Sequence, residues 1–504
     1  MISFFCRYVS ECLLYLARAE PDSHPIPSRS QRMSSEQHIV QNFGRNVSFR
    51  PKTIHQPKSE EEVLRVLADH RSSRIRVIGR LHSYSEAPCC EDVLLDLRHL
   101  NTVRTEQRDD RVWAIIGAGC QVKRVLVELE RQAGVTLPSV GLITEQAIAG
   151  AISTGTHGSG KHSLSHYVAE VRVATYDAAT GEPVIRTIDA GTELHAARCS
   201  LGCLGVIVSV SLWVRPQYCV EEHFRRYDTL SEVIAAEDAF PLQQFFLIPW
   251  RWDYWVQHRR EVSAPANWQA LIYQAYFFAV MEVGLHLAVL FLSKLCRSRW
   301  ATHVFFRRLL PLTVLRHWKV IGKSQDMLVM EHELFRHVEI EVFVKRSRLD
   351  DSIRFLIDLV SYFDGDSKAL SPVTIARLKQ YGLLDPTDVA TYTHCYPICI
   401  RRILPDDTLI SMASGDDEDS YSISFNCYAR PSEQRGFNRF SEVLTRTMVN
   451  VFEARAHWGK ICPMDAATVK SVYPHLAEFR QVSTEFDPEA RFRNNWVSRL
   501  LFAD

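Results

Sequence analysis

The chain has 504 residues, more than one hydrophobic core serves, so two or three domains are expected. Its 59 basic and 59 acidic residues cancel, which removes any overall field that would draw nucleic acid or an acidic partner. The 13 cysteines contain no CxxC pair, and spacings such as Cys89-Cys90 and Cys199…Cys203 exclude the usual zinc and disulfide frameworks, so reduced and mostly buried thiols are expected.

The N-terminal stretch Met1 to Ala19 is amphipathic, with Phe4, Phe5, Val9, Leu13, Leu14 and Leu16 interrupted by Arg7, Glu11 and Arg18. Glu11 breaks the apolar run that a secretory signal needs, which leaves a surface helix or a removable leader. Pro21 to Gln37 reads as a polar linker. From about Asn42 the texture becomes α/β. Ser59 before Glu60-Glu61-Glu62 and Val63, Leu64, Val66 and Leu67 predicts an N-capped helix with acidic residues at its positive end. Ile75 to Ile78, Leu94 to Leu97 and Val112 to Ile116 read as strands, Val122 to Gln132 as a helix ended by Gly134, and Val206 to Val214 as a strand ended by Pro216. Beyond Pro216 the segments become aromatic-rich. Ala275 to Ser293 is nearly all apolar, broken by Glu282 and His286 and followed by Lys294, Arg297 and Arg299. At about 1.5 Å per residue it nearly reaches across a hydrocarbon layer of roughly 30 Å. A carboxylate at its centre would cost about 2.5–3.5 kcal/mol there, so a buried or membrane-surface helix ranks ahead of a span.

Three segments carry the chemical argument. The first is the strand-to-loop run Val77 to Ser85, with Gly79, Arg80, Leu81, His82 and Ser83 at its turn. The second is Ala149 to Gly160, which holds four glycines and four small hydroxyl residues, among them Gly150, Ser153, Thr154, Gly155, Thr156 and Gly158, with His157 between them. Such a backbone lets a large anionic guest approach its N–H and O–H donors, and diphosphate is a natural one. The third is Leu201 to Ile207, small residues leading into a strand that begins at Val206 and Ile207. One such loop alone is more often a plain turn, and none matches the P-loop or GxGxxG pattern. Three of them in one α/β segment, in a consistent order, shift the odds away from plain turns. His162 and His166 stand four apart, but no third ligand is near, so no metal site is expected.

Residues 42 to 216 resemble the FAD-binding domain of the vanillyl-alcohol oxidase (PCMH-type) superfamily, and within it the aldonolactone oxidases, with the alditol oxidases close by. The resemblance rests on Asn42-Phe43-Gly44-Arg45-Asn46 with Ser59 to Val63, on Gly79-Arg80-Leu81-His82-Ser83, and on Ile148 to Gly158. Near the C-terminus His457-Trp458-Gly459-Lys460 is similar to the HWGK signature of the lactone oxidases, and Asp487-Pro488 with Phe492 and Asn494 to their closing motif. The resemblance implies FAD, attached covalently through His82 to the flavin 8α carbon, with Ala118 on the oxygen-facing side of the flavin. Lys460 would serve the flavin N1 region or a substrate oxygen. Arg401 in Cys399-Ile400-Arg401 takes the place of the arginine of a family Glu-x-Arg pair, but Cys399 stands where the glutamate is expected. A thiol is the poorer proton acceptor. Glu339 and Glu341 are alternative carboxylates, read first as members of a structural strand.

The expectation is therefore an α+β protein: a leader and linker over residues 1–37, a PCMH-type FAD domain over 38–216, a substrate (cap) domain with an antiparallel sheet and the apolar helix over 217–445, and a C-terminal segment over 446–504 that returns to the flavin. The implied reaction is oxidation of a sugar-derived 1,4-lactone toward an ascorbate-type product, with hydride passing to flavin N5 and oxygen as acceptor. Oxidation of an open-chain polyol, or flavin binding with impaired turnover owing to Cys399, are the other readings. The apolar helix adds a possible membrane association, of which the endoplasmic reticulum is one setting and the cytoplasm the alternative.

Overall fold

The computed structural model describes residues 39–330, 335–415, 418–428 and 431–503. The amphipathic N-terminus and its linker lie outside them. The chain forms an α+β fold of two parts. In the first, Thr53–His55, Val93–Asp96 and Ile75–Ile78 make a small parallel sheet. Beside it stands a five-stranded antiparallel sheet ordered Pro183–Ile188, Val168–Tyr176, Val206–Trp213, Arg111–Gly117 and Val103–Arg108. Ser59 accepts from the Glu62 N–H to start the helix Glu60–Asp69, and Gly134 ends the helix Val122–Ala133 at φ 63. Buried Arg76 binds three segments together: it donates to the carbonyls of Ala87, Leu201 and Phe492. The C-terminal helices Ala466–Val472, Leu476–Phe486 and Asn495–Leu501 pack into this same core.

The second part is built on an eight-stranded antiparallel sheet. Its strands in chain order are β1 (Cys219–Tyr227), β2 (Gln244–Leu247), β3 (Tyr254–Val262), β4 (Val320–Lys323), β5 (Val338–Lys345), β6 (Ile398–Ile403), β7 (Ser420–Cys427) and β8 (Arg455–Ala456), and in space they run β4-β1-β3-β2-β6-β7-β5-β8. One face, with Val338, Ile340, Val342, Ile398, Ile400, Ile423 and Phe425, joins a core with the helices Leu349–Asp364 and Arg435–Phe452. The opposite face carries the polar residues together with Phe246 and Trp255, because side chains alternate along a strand. Register aligns them in rows: Trp255, Phe246, Cys399, Ser424 and Glu341 form one, and Gln257, Gln244, Arg401 and Ser422 the next.

The apolar segment folds as a helix of 28 residues, Gln269–Cys296, followed by helical turns from Arg299 to Thr313. Tyr273, Leu285, Val289 and Leu290 are buried, while Leu271, Ile272 and Phe291 face outward. One face is thus protein core and the other apolar surface. The eleven described cysteines form no disulfide among the described residues.

Burial pushes His258, His394 and His457 each down to about 3. The unfolded chain, with ordinary histidines, takes up protons between about pH 6.5 and 3 that the folded chain refuses, so stability must fall as pH drops through that window, by up to about 1.4 kcal/mol per pH unit for each histidine. Urea midpoints measured at about pH 7 and about pH 5 should separate clearly, and His394→Gln should shrink the separation. Equal midpoints in the wild type would refute this.

Candidate active site

The three loops and the C-terminal return converge on one cavity of about 160 Å³. It is lined by Gly79, Arg80, Leu81, His82 and Ser83, by Ala118, by Gly150, Ser153 and Thr154, by Leu201, Gly202, Gly205 and Ile207, and by His457, Gly459 and Lys460. The strand ending at Ile78 delivers the His82 loop, and Leu81 turns it at φ 56. The His82 ring stacks on Phe43 with centroids 5.1 Å apart. Tyr84 N–H donates to the Gly459 carbonyl at 2.8 Å, which docks the C-terminal segment beside this loop.

The residues suit a dinucleotide. A Cβ on Gly150 would meet no atom within 4 Å, so that backbone faces open space in the cavity. Gly205 sits at φ 135 with its missing Cβ against the Ala174 carbonyl, a position closed to other residues. The amides of Leu81 and Ser83 have no protein acceptor among the described residues. When bound there, FAD supplies the acceptor for a hydride from the substrate carbon.

Gln146, His457 and Lys460 also line a second, larger cavity of about 600 Å³, so the two spaces meet at these side chains. Its floor is the polar face of the eight-stranded sheet. Glu222 accepts from Arg259 Nε at 2.6 Å and from Gln257 Nε2 at 2.6 Å; Gln257 Oε1 accepts from Gln244 Nε2 at 2.6 Å; Gln244 Oε1 accepts from Arg401 Nε at 3.1 Å. This relay fixes the Arg401 guanidinium by its Nε at the wall of the cavity. Glu339 pairs with Lys460, whose ammonium also lies 5.3 Å from the Tyr84 ring centroid. Burial pushes the Cys399 thiol up, which favours its protonated form. His457 Nδ1 accepts from the Gly459 N–H at 2.9 Å, and burial keeps the ring neutral. The other limb of the cavity is apolar. Phe224, Phe246, Ile248 and Trp255 face Phe277, Phe278, Met281 and Leu285 of the apolar helix across it.

Arg401, Cys399 and Lys460 are thus brought to one cavity, and most of the expected cofactor residues to the other. Thr156 and His157 line the larger cavity instead of the smaller. Gly155, Gly158 and Val206 line neither. Gly155 turns at φ 73 against Met412, Gly158 abuts the Val140 carbonyl, and Val206 points into the core because alternation gives the cavity to Ile207. His162 and His166 stack at 4.1 Å, His162 Nδ1 donating to the Pro405 carbonyl and His166 contacting Asp407. The strand assignment of Glu339 and Glu341 holds, yet both carboxylates line the substrate-side cavity. Gln146, Glu222, Gln244 and Gln257 carried no signal in the sequence, since only tertiary register assembles them.

The model of the FAD binding domain matches residues 51–182, and that of D-arabinono-1,4-lactone oxidase matches residues 243–500, just over half of the chain. Fold, site and matches define an FAD-dependent oxidoreductase acting on CH–OH donors. Within that class the chain belongs to the D-arabinono-1,4-lactone oxidase family. It is 49% identical to a protein named long-chain alcohol oxidase from an uncultured marine euryarchaeote, over 92% of this chain and 97% of that one. It is 26% identical to the L-gulono-1,4-lactone dehydrogenase of Mycobacterium tuberculosis, over 90% of this chain and 96% of that one. In three dimensions it is similar to a cholesterol oxidase of Brevibacterium sterolicum, with a TM-score of 0.65 at 16% identity, covering 95% of this chain and 100% of that one.

Proposed function

We propose that the protein oxidises a long-chain primary alcohol to the aldehyde, with molecular oxygen as the acceptor. The apolar limb of the larger cavity carries this reading. A sugar lactone can pair with Arg401, Glu339 and Lys460 at the polar end, but it would leave the limb walled by Phe246, Trp255, Phe278 and Met281 unfilled. An alkyl chain fills that limb and gains about 0.8 kcal/mol for each methylene it buries. The name of the relative at 49% identity agrees with this choice. The polar end and the family model keep lactone or polyol oxidation as the second reading. Anaerobic mixing of the holoenzyme with dodecanol, gulono-1,4-lactone or xylitol decides between them. Rapid loss of the yellow flavin band with dodecanol alone is the expected result, and bleaching only by lactone or polyol would sink the proposal.

We infer that His82 bonds the flavin covalently, as its place in the cofactor cavity and in the Gly-Arg-Leu-His-Ser run supports. Acid precipitation should leave yellow colour in the pellet of the wild type and release it in His82→Ala. Colour in the wild-type supernatant would remove His82 as the attachment point.

We further propose that the apolar helix lies on a membrane surface. Of the twelve large apolar side chains that are exposed among the described residues, nine fall between Trp268 and Leu315, including Leu271, Trp300 and Leu312 at 71%, 75% and 78% exposure. Lys294, Arg297, Arg299, Arg307 and Arg308 lie in the same segment, the pattern of a helix resting among anionic headgroups. Its inner face walls the cavity, which suits resting on the bilayer better than crossing it. Leu271 and Phe278 are both exposed and cavity-lining, so an alcohol dissolved in lipid could enter there. Flotation with vesicles containing phosphatidylglycerol should carry the wild type upward and leave Leu271→Glu/Trp300→Glu/Leu312→Glu at the bottom. Equal behaviour of the two would count against the assignment.

A further inference from the structure

We propose that Glu341 is the catalytic residue that takes the hydroxyl proton of the alcohol, the duty Cys399 does not perform. The proposal rests on the reading that a C–OH bond is oxidised in the larger cavity. Cys399 and Glu341 occupy one row of the sheet, each paired with Ser424 from opposite sides, so a carboxylate absent from β6 is present two strands away on β5. Glu341 lines the substrate-side cavity, and its backbone carbonyl accepts from the N–H of His457, a side chain shared by both cavities. The carboxylate is therefore held at the junction where flavin and substrate must meet.

Of the two carboxylates, Glu341 is the available one. Glu339 is engaged by Lys460. Glu341 is 2% exposed, and its Oε1 receives no well-aligned hydrogen bond among the described residues. His157 Nε2 lies 3.2 Å from that oxygen, and its Nδ1 lies 3.0 Å from the Gly158 carbonyl, which anchors the ring. A buried carboxylate oxygen without a donor is costly unless a ligand supplies one, and the group that fits is an O–H. Burial by itself would raise the Glu341 carboxyl, but His157, 3.2 Å away, and then the Lys460 ammonium outweigh it and hold the group well below the ordinary carboxylate range. It therefore faces the substrate ionised.

The chemistry balances. The C–H bond breaks and its electron pair leaves with hydrogen as hydride to FAD, the two-electron oxidant of this family. The O–H bond breaks, its proton passes to Glu341 Oε1, and its electron pair becomes the second carbon–oxygen bond of the aldehyde. Weak basicity is no obstacle. As hydride departs, the oxygen acquires the character of a protonated carbonyl, a far stronger acid than any carboxylic acid.

The test uses the FAD-loaded full chain. Glu341→Gln should slow anaerobic flavin reduction by dodecanol by about 100-fold or more, the scale of a lost proton acceptor. A second readout needs no turnover. Dodecanoate, whose carboxylate would oppose Glu341, should bind Glu341→Gln about tenfold tighter than the wild type, followed by calorimetry or by the flavin spectrum. Reduction within threefold of the wild type, or unchanged dodecanoate affinity, overturns the proposal. Should Glu341→Gln fail to fold, Glu341→Asp keeps the charge and withdraws the oxygen by one methylene; about tenfold slower reduction is expected, and wild-type speed overturns the proposal equally. Failure of dodecanol to bleach the wild type would instead refute the substrate reading, which is a separate result.

Discussion

Strand register in the eight-stranded sheet is the constraint on which the site depends. Successive side chains on a strand face opposite ways, so one residue of slip would turn a whole strand over. In the observed register Glu341, Ser424, Cys399 and Phe246 share a row, as do Ser422, Arg401, Gln244 and Gln257. A slip on β5 would send Glu339 and Glu341 into the layer of Phe363, Phe440 and Leu444 and put Val338, Ile340 and Val342 against the substrate. Burying two unpaired carboxylates costs far more than such a sheet could recover. The apolar face of the sheet thus fixes where the charges stand on the other.

The flavin side depends on contacts that link distant parts of the chain. Arg76 reaches carbonyls from the His82 loop region, the loop before Val206 and the closing segment at Phe492. Tyr84 and Gly459 join the first loop to the C-terminal return. Trp458, fully buried, donates to the Ile410 carbonyl at 2.7 Å and so steadies His457 and Lys460 on either side of it. At the junction two carboxylates, Glu339 and Glu341, face two cations, Lys460 and Arg401. The near balance lets a neutral alcohol enter without displacing a counterion.

Much of this was legible in the sequence because it is local. Glycine at positions 79, 150 and 205 marks backbone that must turn or lie open, and contiguous runs such as Gly79 to Ser83 and His457 to Lys460 carry their meaning within a few residues. The substrate side was not legible in the same way. Glu341, Gln244 and Gln257 lie on separate strands, and nothing in their local sequence marks them as neighbours. The resemblance pointed to Cys399 as a gap, but only the pairing through Ser424 connects that gap to Glu341. The apolar segment, interrupted by Glu282 and His286, was expected as a buried or membrane-surface helix ahead of a span, and it is a helix with one face in the core. That its inner face walls a cavity followed only from how it packs.

The relay from Arg401 to Glu222 has a direction. Arginine can only donate and an ionised carboxylate can only accept, so Gln244 and Gln257 must both point their amide nitrogens toward Glu222. Tyr273, from the apolar helix, donates to the same carboxylate. No single member can change without leaving its neighbour facing a like group. Over evolutionary time these positions should therefore drift as a set, and a descendant with a new substrate would be expected to have exchanged several of them together.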